Sequence, residues 1–192
     1  MKKKYEFKPD KISLSLFHKL YLTKSQRLSI LKWSLQALVL LVMSLLQDVI
    51  LCQMSFLGAT TDLVPCAIFL SCMLLGAQSG CVFALIAACL YQFSGSGPGY
   101  HAIALITVLC IAGAMFRQSF LRKNFGSCLL CAGLCHMLYE LSVFVAAIVL
   151  GQTVLARVGV ALLTGALSLL CIPVLYPILR AIEKIGGEPW KD

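Results

Sequence analysis

The stretch GAQSGCVFALIAACLYQFSGSGPGYH, residues 76–101, decides how this chain folds. Its first part carries Gly76, Gly80, Ala84 and Ala88 at every fourth position, so a helix here presents one continuous strip of very small side chains. Without bulk on that face a second backbone comes close, which is how membrane helices pack. The second part, Ser94 to Gly99, holds Gly95, Gly97 and Gly99 among Ser and Pro, and no helix continues through it. A further apolar run starts at Ala102. The pattern predicts a close-packed hairpin of two membrane helices.

Composition carries this reading to the whole chain. Of 192 residues 60% are hydrophobic and only 12% charged, where a soluble domain has about 25% charged. The expectation is an all-α polytopic membrane protein. Nine of the sixteen Lys and Arg lie in the first 32 residues, and between Trp33 and Phe116 the only charged side chains are Asp48 and Asp62. The chain therefore divides into a basic juxtamembrane segment (1–32), a six-helix transmembrane domain (33–182) and a short tail (183–192). The net charge of +8 follows from basic loops on the inner face and calls for no nucleic acid.

A basic start followed by an apolar run has the outline of a secretory signal, but a signal core is only about 7 to 15 residues long. The run from Trp33 to Met54 is longer and lacks a small-residue cleavage site, so it is expected to be retained. Thr23, with Gln26 three residues on, fits a capping box at a helix start. Between Ile12 and Tyr21, apolar residues mixed with His18 and Lys19, after Lys11, either rest on anionic lipid headgroups or simply fix orientation. Both readings place the N-terminus inside.

Taken in order, helix one is expected over Trp33 to Met54. Asp62 stands just before Leu63, Val64 and Pro65, where its carboxylate would cap helix two, which runs to Leu75. Helix three covers Ala77 to Phe93; both are shorter than the ~20 residues of a perpendicular span. Helix four runs from His101 to Phe116 and ends at the basic loop of Arg117, Arg122 and Lys123. Helix five covers Phe125 to Leu150, and Thr153 would cap a helix six that continues to Leu179 through Pro173 and Pro177. Six crossings put both termini and the Arg122 loop on the inner side, with Arg157 the exception.

Ionisable groups inside a membrane body are costly and are functional candidates by default. Glu140 lies well within helix five, with His136 four residues before it on the same face, within reach of an i, i+4 hydrogen bond. Two readings are open for this pair, which Tyr139 joins: a structural polar clasp between helices, or a proton or solute site. It is also the only dyad available to an intramembrane enzyme. Asp48, beside Gln47, is grouped with these intramembrane polar residues; it either faces a water-filled cleft or snorkels to the outer surface, and the second is favoured. His101, at a helix start, suits a neutral imidazole accepting a backbone N–H. The ten cysteines nearly all fall in apolar helices, where cysteine is a small packing residue. Cys128, Cys131, Cys135 and His136 share one stretch, but not the paired spacing of structural zinc sites. No metal and no cofactor is expected. The chain has no phosphate-binding loop, zinc-protease motif or nucleophile elbow.

The ordered set of features from Leu45 to Ile182 resembles the MreD family of bacterial rod shape-determining proteins. The resemblance rests on LLQ in helix one, GATTDL before helix two, the stepped glycines of GAQSG and the glycine turn of SGSGPGYHAIAL. It continues through the FRQSFLRKNF loop, the LYEL of Leu138 to Leu141, and YPILRAI at the end. This chain has Thr61-Asp62 where the family commonly has Pro-Asp, and Gln92 where it commonly has an acidic residue before the glycine turn.

The resemblance implies a non-catalytic scaffold in the bacterial cytoplasmic membrane. Its implied partners are an MreC-like bitopic protein, MreB filaments, RodA and a penicillin-binding transpeptidase. The family is also similar in architecture to the substrate-binding subunits of energy-coupling factor transporters, which makes a vitamin-binding subunit the alternative. Those subunits usually carry an Ala-x-x-x-Ala strip on helix one; here helix one, WSLQALVLLVMSLLQDVILCQM, has none.

Overall fold

The computed structural model describes residues 24–54, 57–95, 97–120 and 124–185. The Thr23 cap, the segment around Lys11, His18 and Lys19, and the loop residues Arg122 and Lys123 lie outside those residues. The described chain is all-helical: α1 (Lys24–Val49), α2 (Leu63–Leu75), α3 (Ala77–Phe93), α4 (His101–Phe120), α5 (Phe125–Val149), α6 (Val158–Leu169) and α7 (Ile172–Glu183).

The sequence of α2, LVPCAIFLSCMLL, is apolar on every side, and a helix without a polar face settles only where it is enclosed. All 13 of its residues are buried, and each of the other six helices packs against it. Among lipid tails that enclosure gains little from the hydrophobic effect, because a tail is as apolar as a leucine. Close backbone approach and polar ties have to hold the bundle instead.

Close approach is visible at three glycines. A Cβ on Gly80 would lie 2.8 Å from the Cys72 carbonyl oxygen of α2. One on Gly113 of α4 would lie 2.4 Å from Met73 and 2.5 Å from Cys135 Sγ, and one on Gly165 of α6 would lie 2.7 Å from Met137 Sδ. Thiols sit at the same crossings. Cys66, Cys72 and Cys135 each donate at 3.5 Å to a carbonyl of another helix, those of Ser168, Cys110 and Leu109. All ten cysteines are free.

Helices α1, α4 and α5 are long and apolar enough to cross a membrane, and α6 with α7 makes a fourth crossing if that bent pair is counted as one. The expected single helix six is therefore corrected to two helices bent by 43°. Pro173 supplies the reason. Its ring excludes a helical carbonyl four residues back, that residue is Leu169, and α6 ends at Leu169. Pro173 then falls in the first turn of α7, where a missing N–H costs nothing. The Thr153 cap is also corrected: a 3-10 turn over Leu155–Arg157 precedes α6 and has no side-chain cap. At the other boundaries α1 ends at Val49 before a 3-10 turn over Leu51–Gln53, and α4 runs on to Phe120.

Candidate functional site

Asp62 occupies the cap position of α2 but makes no bond to that helix's N–H groups, which corrects the capping expectation. Gln47 of α1 caps it instead. Its Oε1 accepts the Val64 N–H at 2.9 Å, and its Nε2 donates to Asp62 Oδ1 at 2.7 Å. The Tyr91 hydroxyl of α3 donates to the two Asp62 oxygens at 3.0 and 3.2 Å. The Asp62 N–H donates to Ser168 Oγ of α6 at 2.8 Å, and the Ser168 hydroxyl donates its own proton to the Thr164 carbonyl at 2.9 Å.

Three helices thus meet on the residue that introduces a fourth. Charge-assisted bonds of this kind are about twice as strong as neutral ones, and a dry surrounding strengthens them further. Loss of hydration raises the Asp62 carboxyl above its usual range, while the bonds from Tyr91 and Gln47 act in the other direction. A carboxylate also complements the positive end of the α2 dipole.

The other end of α2 is tied in the opposite sense. The Arg117 guanidinium of α4 donates to the Met73 carbonyl, and Ser79 Oγ of α3 donates to the Leu75 carbonyl at 2.7 Å. The basic loop expected to begin at Arg117 starts later: Arg117 lies within α4 and places its cation at the negative end of the central helix. The chain reverses from α2 into α3 through Gly76 alone, at φ +86°, a conformation that glycine adopts freely. Gly76 is therefore the joint before the small-residue face, and Ala84 and Ala88 continue that face with Gly80, all buried.

Beside the Asp62 tie lies a cleft of about 380 Å³, walled among others by Asp48, Thr60, Thr61, Asp62, Ser94 and Thr164. Asp48 is exposed there and receives Ser44 Oγ at 3.5 Å. It lines the cleft and takes no part in a clasp with His136. Of the glycine turn, Gly95 and Gly99 have φ +83° and +138°, and Gly95 reaches the cleft wall. Gly97 leaves room for Gln92, whose Oε1 is buried without a hydrogen-bond partner among the described residues. His101 lies over Gly99, and its Nε2 likewise has no partner among the described residues.

His136 and Tyr139 are buried against Phe69 of α2. His136 Nε2 stands 3.7 Å from Glu140 Oε1, too far for a hydrogen bond. The expected i, i+4 bond is therefore not formed. Among the described residues, both ring nitrogens, the Tyr139 hydroxyl and Glu140 Oε1 have no hydrogen-bond partner. Glu140 instead lies along α6, its Cγ 3.6 Å from where a Cβ on Gly165 would stand. Among the described residues no group of three or more His, Cys, Asp or Glu is placed to hold a metal ion.

Tyr91 and Ser168 are the site residues that sequence reasoning passed over. Tyr91 follows Ala84 and Ala88 at helical spacing, seven and three residues on, so the strip itself pointed to it. Ser168 carried no comparable signal. Comparison with protein-family models, with curated proteins and with solved structures finds no match to this chain.

Proposed function

We propose that this chain is a non-catalytic membrane scaffold of the MreD type, crossing the bacterial cytoplasmic membrane six times with both termini inside. It holds an MreC-like bitopic partner and links MreB filaments to the RodA and transpeptidase pair that builds the lateral wall. What carries this reading, beside the ordered motifs, is how the polar side chains are used. Gln47, Asp62, Tyr91, Ser168 and Arg117 bind helices to one another, and the surface away from the core carries exposed apolar side chains such as Leu41, Leu45, Val108 and Leu134. Such a body presents helix faces to other helices. Deleting the gene from a rod-shaped host should give round cells, and the tagged chain should retain an MreC-like partner through purification. Cells that keep their rods would remove the proposal.

One observation favours a second reading, a substrate-binding subunit of an energy-coupling factor transporter. A cleft of about 380 Å³ falls within the size range of small-molecule sites. Saturable binding of a vitamin by the detergent-solubilised chain, with cell shape unchanged on deletion, would select it.

A further inference from the structure

The cleft beside Asp62 lies at the N-terminal end of the short helix α2. Its 13 residues rise about 20 Å, roughly 10 Å less than the hydrocarbon of a bilayer. Chain from α1, α3 and α6 surrounds the opening at its N-terminal end, and the walls differ from the rest of this apolar body. Asp48 and Asp62, the only charged residues between Trp33 and Phe116, come from different elements and both line it. Thr60, Thr164 and Ser94 add hydroxyls, and among the described residues no Lys, Arg or His stands on the wall. Thr61, also on the wall, has a buried Oγ1 without a hydrogen-bond partner among the described residues. A concave site with a few convergent polar groups is the form ligand sites take.

Charge selects the ligand. The N-terminus of α2 offers about half a positive charge, and Asp62 with Gln47 already answers it. Asp48 adds a second negative charge to the same wall. The hydroxyls accept hydrogen bonds, so the complement is compact, cationic and rich in N–H donors. An ammonium has three such donors on a point charge; a quaternary amine has none.

We propose that this cleft binds a primary ammonium group, held by the Asp48 carboxylate and the threonine hydroxyls. At a membrane surface that group arrives on an ethanolamine lipid headgroup or on a small soluble amine.

The test uses the full chain in nanodiscs of phosphatidylcholine, with or without phosphatidylethanolamine, its thermal unfolding followed by circular dichroism. Ethanolamine or choline is added to the phosphatidylcholine discs. Phosphatidylethanolamine, ethanolamine or both should raise the midpoint by about 3 °C or more; choline should not. A rise with the lipid alone assigns the site to headgroups, and a rise with soluble ethanolamine extends it to free amines. Asp48→Asn should abolish the rise. Asp48 is exposed, so this change removes charge without opening the core, and native mass spectrometry of ethanolamine lipid retained by the unaltered chain gives a second reading. The proposal fails if no amine shifts the midpoint and no ethanolamine lipid is retained. It also fails if choline acts equally, or if Asp48→Asn responds as fully as the unaltered chain.

Discussion

Gln47 Oε1 accepts the Val64 N–H at 2.9 Å, so the central helix is capped by a side chain from a neighbouring helix. The same amide donates to Asp62, and one substitution removes both bonds. Gln47→Leu should cost about 2 kcal/mol, a lost cap together with a carboxylate deprived of a donor. Gln47→Glu should cost more, since it sets a second carboxylate against the first. Unfolding in detergent, monitored by circular dichroism, gives the order; equal stability of Gln47→Leu and the unaltered chain would mean that the tie carries no weight.

Glycine is required at Gly76 and Gly80 for different reasons. Gly76 has φ +86°, so Gly76→Ala strains the backbone by about 1–2 kcal/mol. Gly80→Ala drives a methyl against the Cys72 backbone, 2.8 Å away, and Gly80→Leu should prevent α2 and α3 from closing. A methyl added at Gly126 of α5 would meet nothing within 4 Å, and Gly126→Ala should be neutral or stabilise by up to about 1 kcal/mol. Thermal midpoints of the four variants separate local crowding from a general intolerance of substitution.

The bounds of α2 and α3 are legible in the sequence because local chemistry writes them: Asp62 and Pro65 at one start, a lone glycine between the helices, and a glycine turn after. The break between α6 and α7 is legible in principle through Pro173. Reading that proline as the interior of one helix misses it, since the consequence falls four residues back at Leu169. The Asp62 tie is different. Tyr91 is 29 residues from Asp62 and Ser168 is 106, and no periodicity within a helix reports which helices become neighbours. Within α5, spacing puts His136 and Glu140 on one face but does not fix their side-chain separation at 3.7 Å.

Arg117 is bound to the Met73 carbonyl near the C-terminal end of α2, a fixed cation at the negative end of a buried dipole. Arg117→Ala should cost about 1–2 kcal/mol, and Arg117→Lys should restore only part of it because a point charge replaces a planar fork. If the residue were merely a loop charge that orients the chain, lysine would restore stability in full. Midpoints of the two variants in one detergent decide between these outcomes.

Tyr91 and Tyr139 are alike in burial, at 2% and 1% exposed, but unlike in bonding. The Tyr91 hydroxyl is held by Asp62, while that of Tyr139 has no hydrogen-bond partner among the described residues. Removing a bonded hydroxyl leaves Asp62 short of a donor, so Tyr91→Phe should cost about 1–3 kcal/mol. Removing an unbonded one relieves a desolvated group, so Tyr139→Phe should be neutral or stabilising. Glu140→Gln should likewise be mild, since its Oε1 has no bond to lose. The two tyrosine variants, unfolded side by side, form an internal control for size and burial. A Tyr139→Phe loss as large as that of Tyr91→Phe would show that the hydroxyl is engaged in the membrane. If Glu140→Gln also abolished cell-shape support while folding normally, the group around His136 would be a working site and not a packing feature.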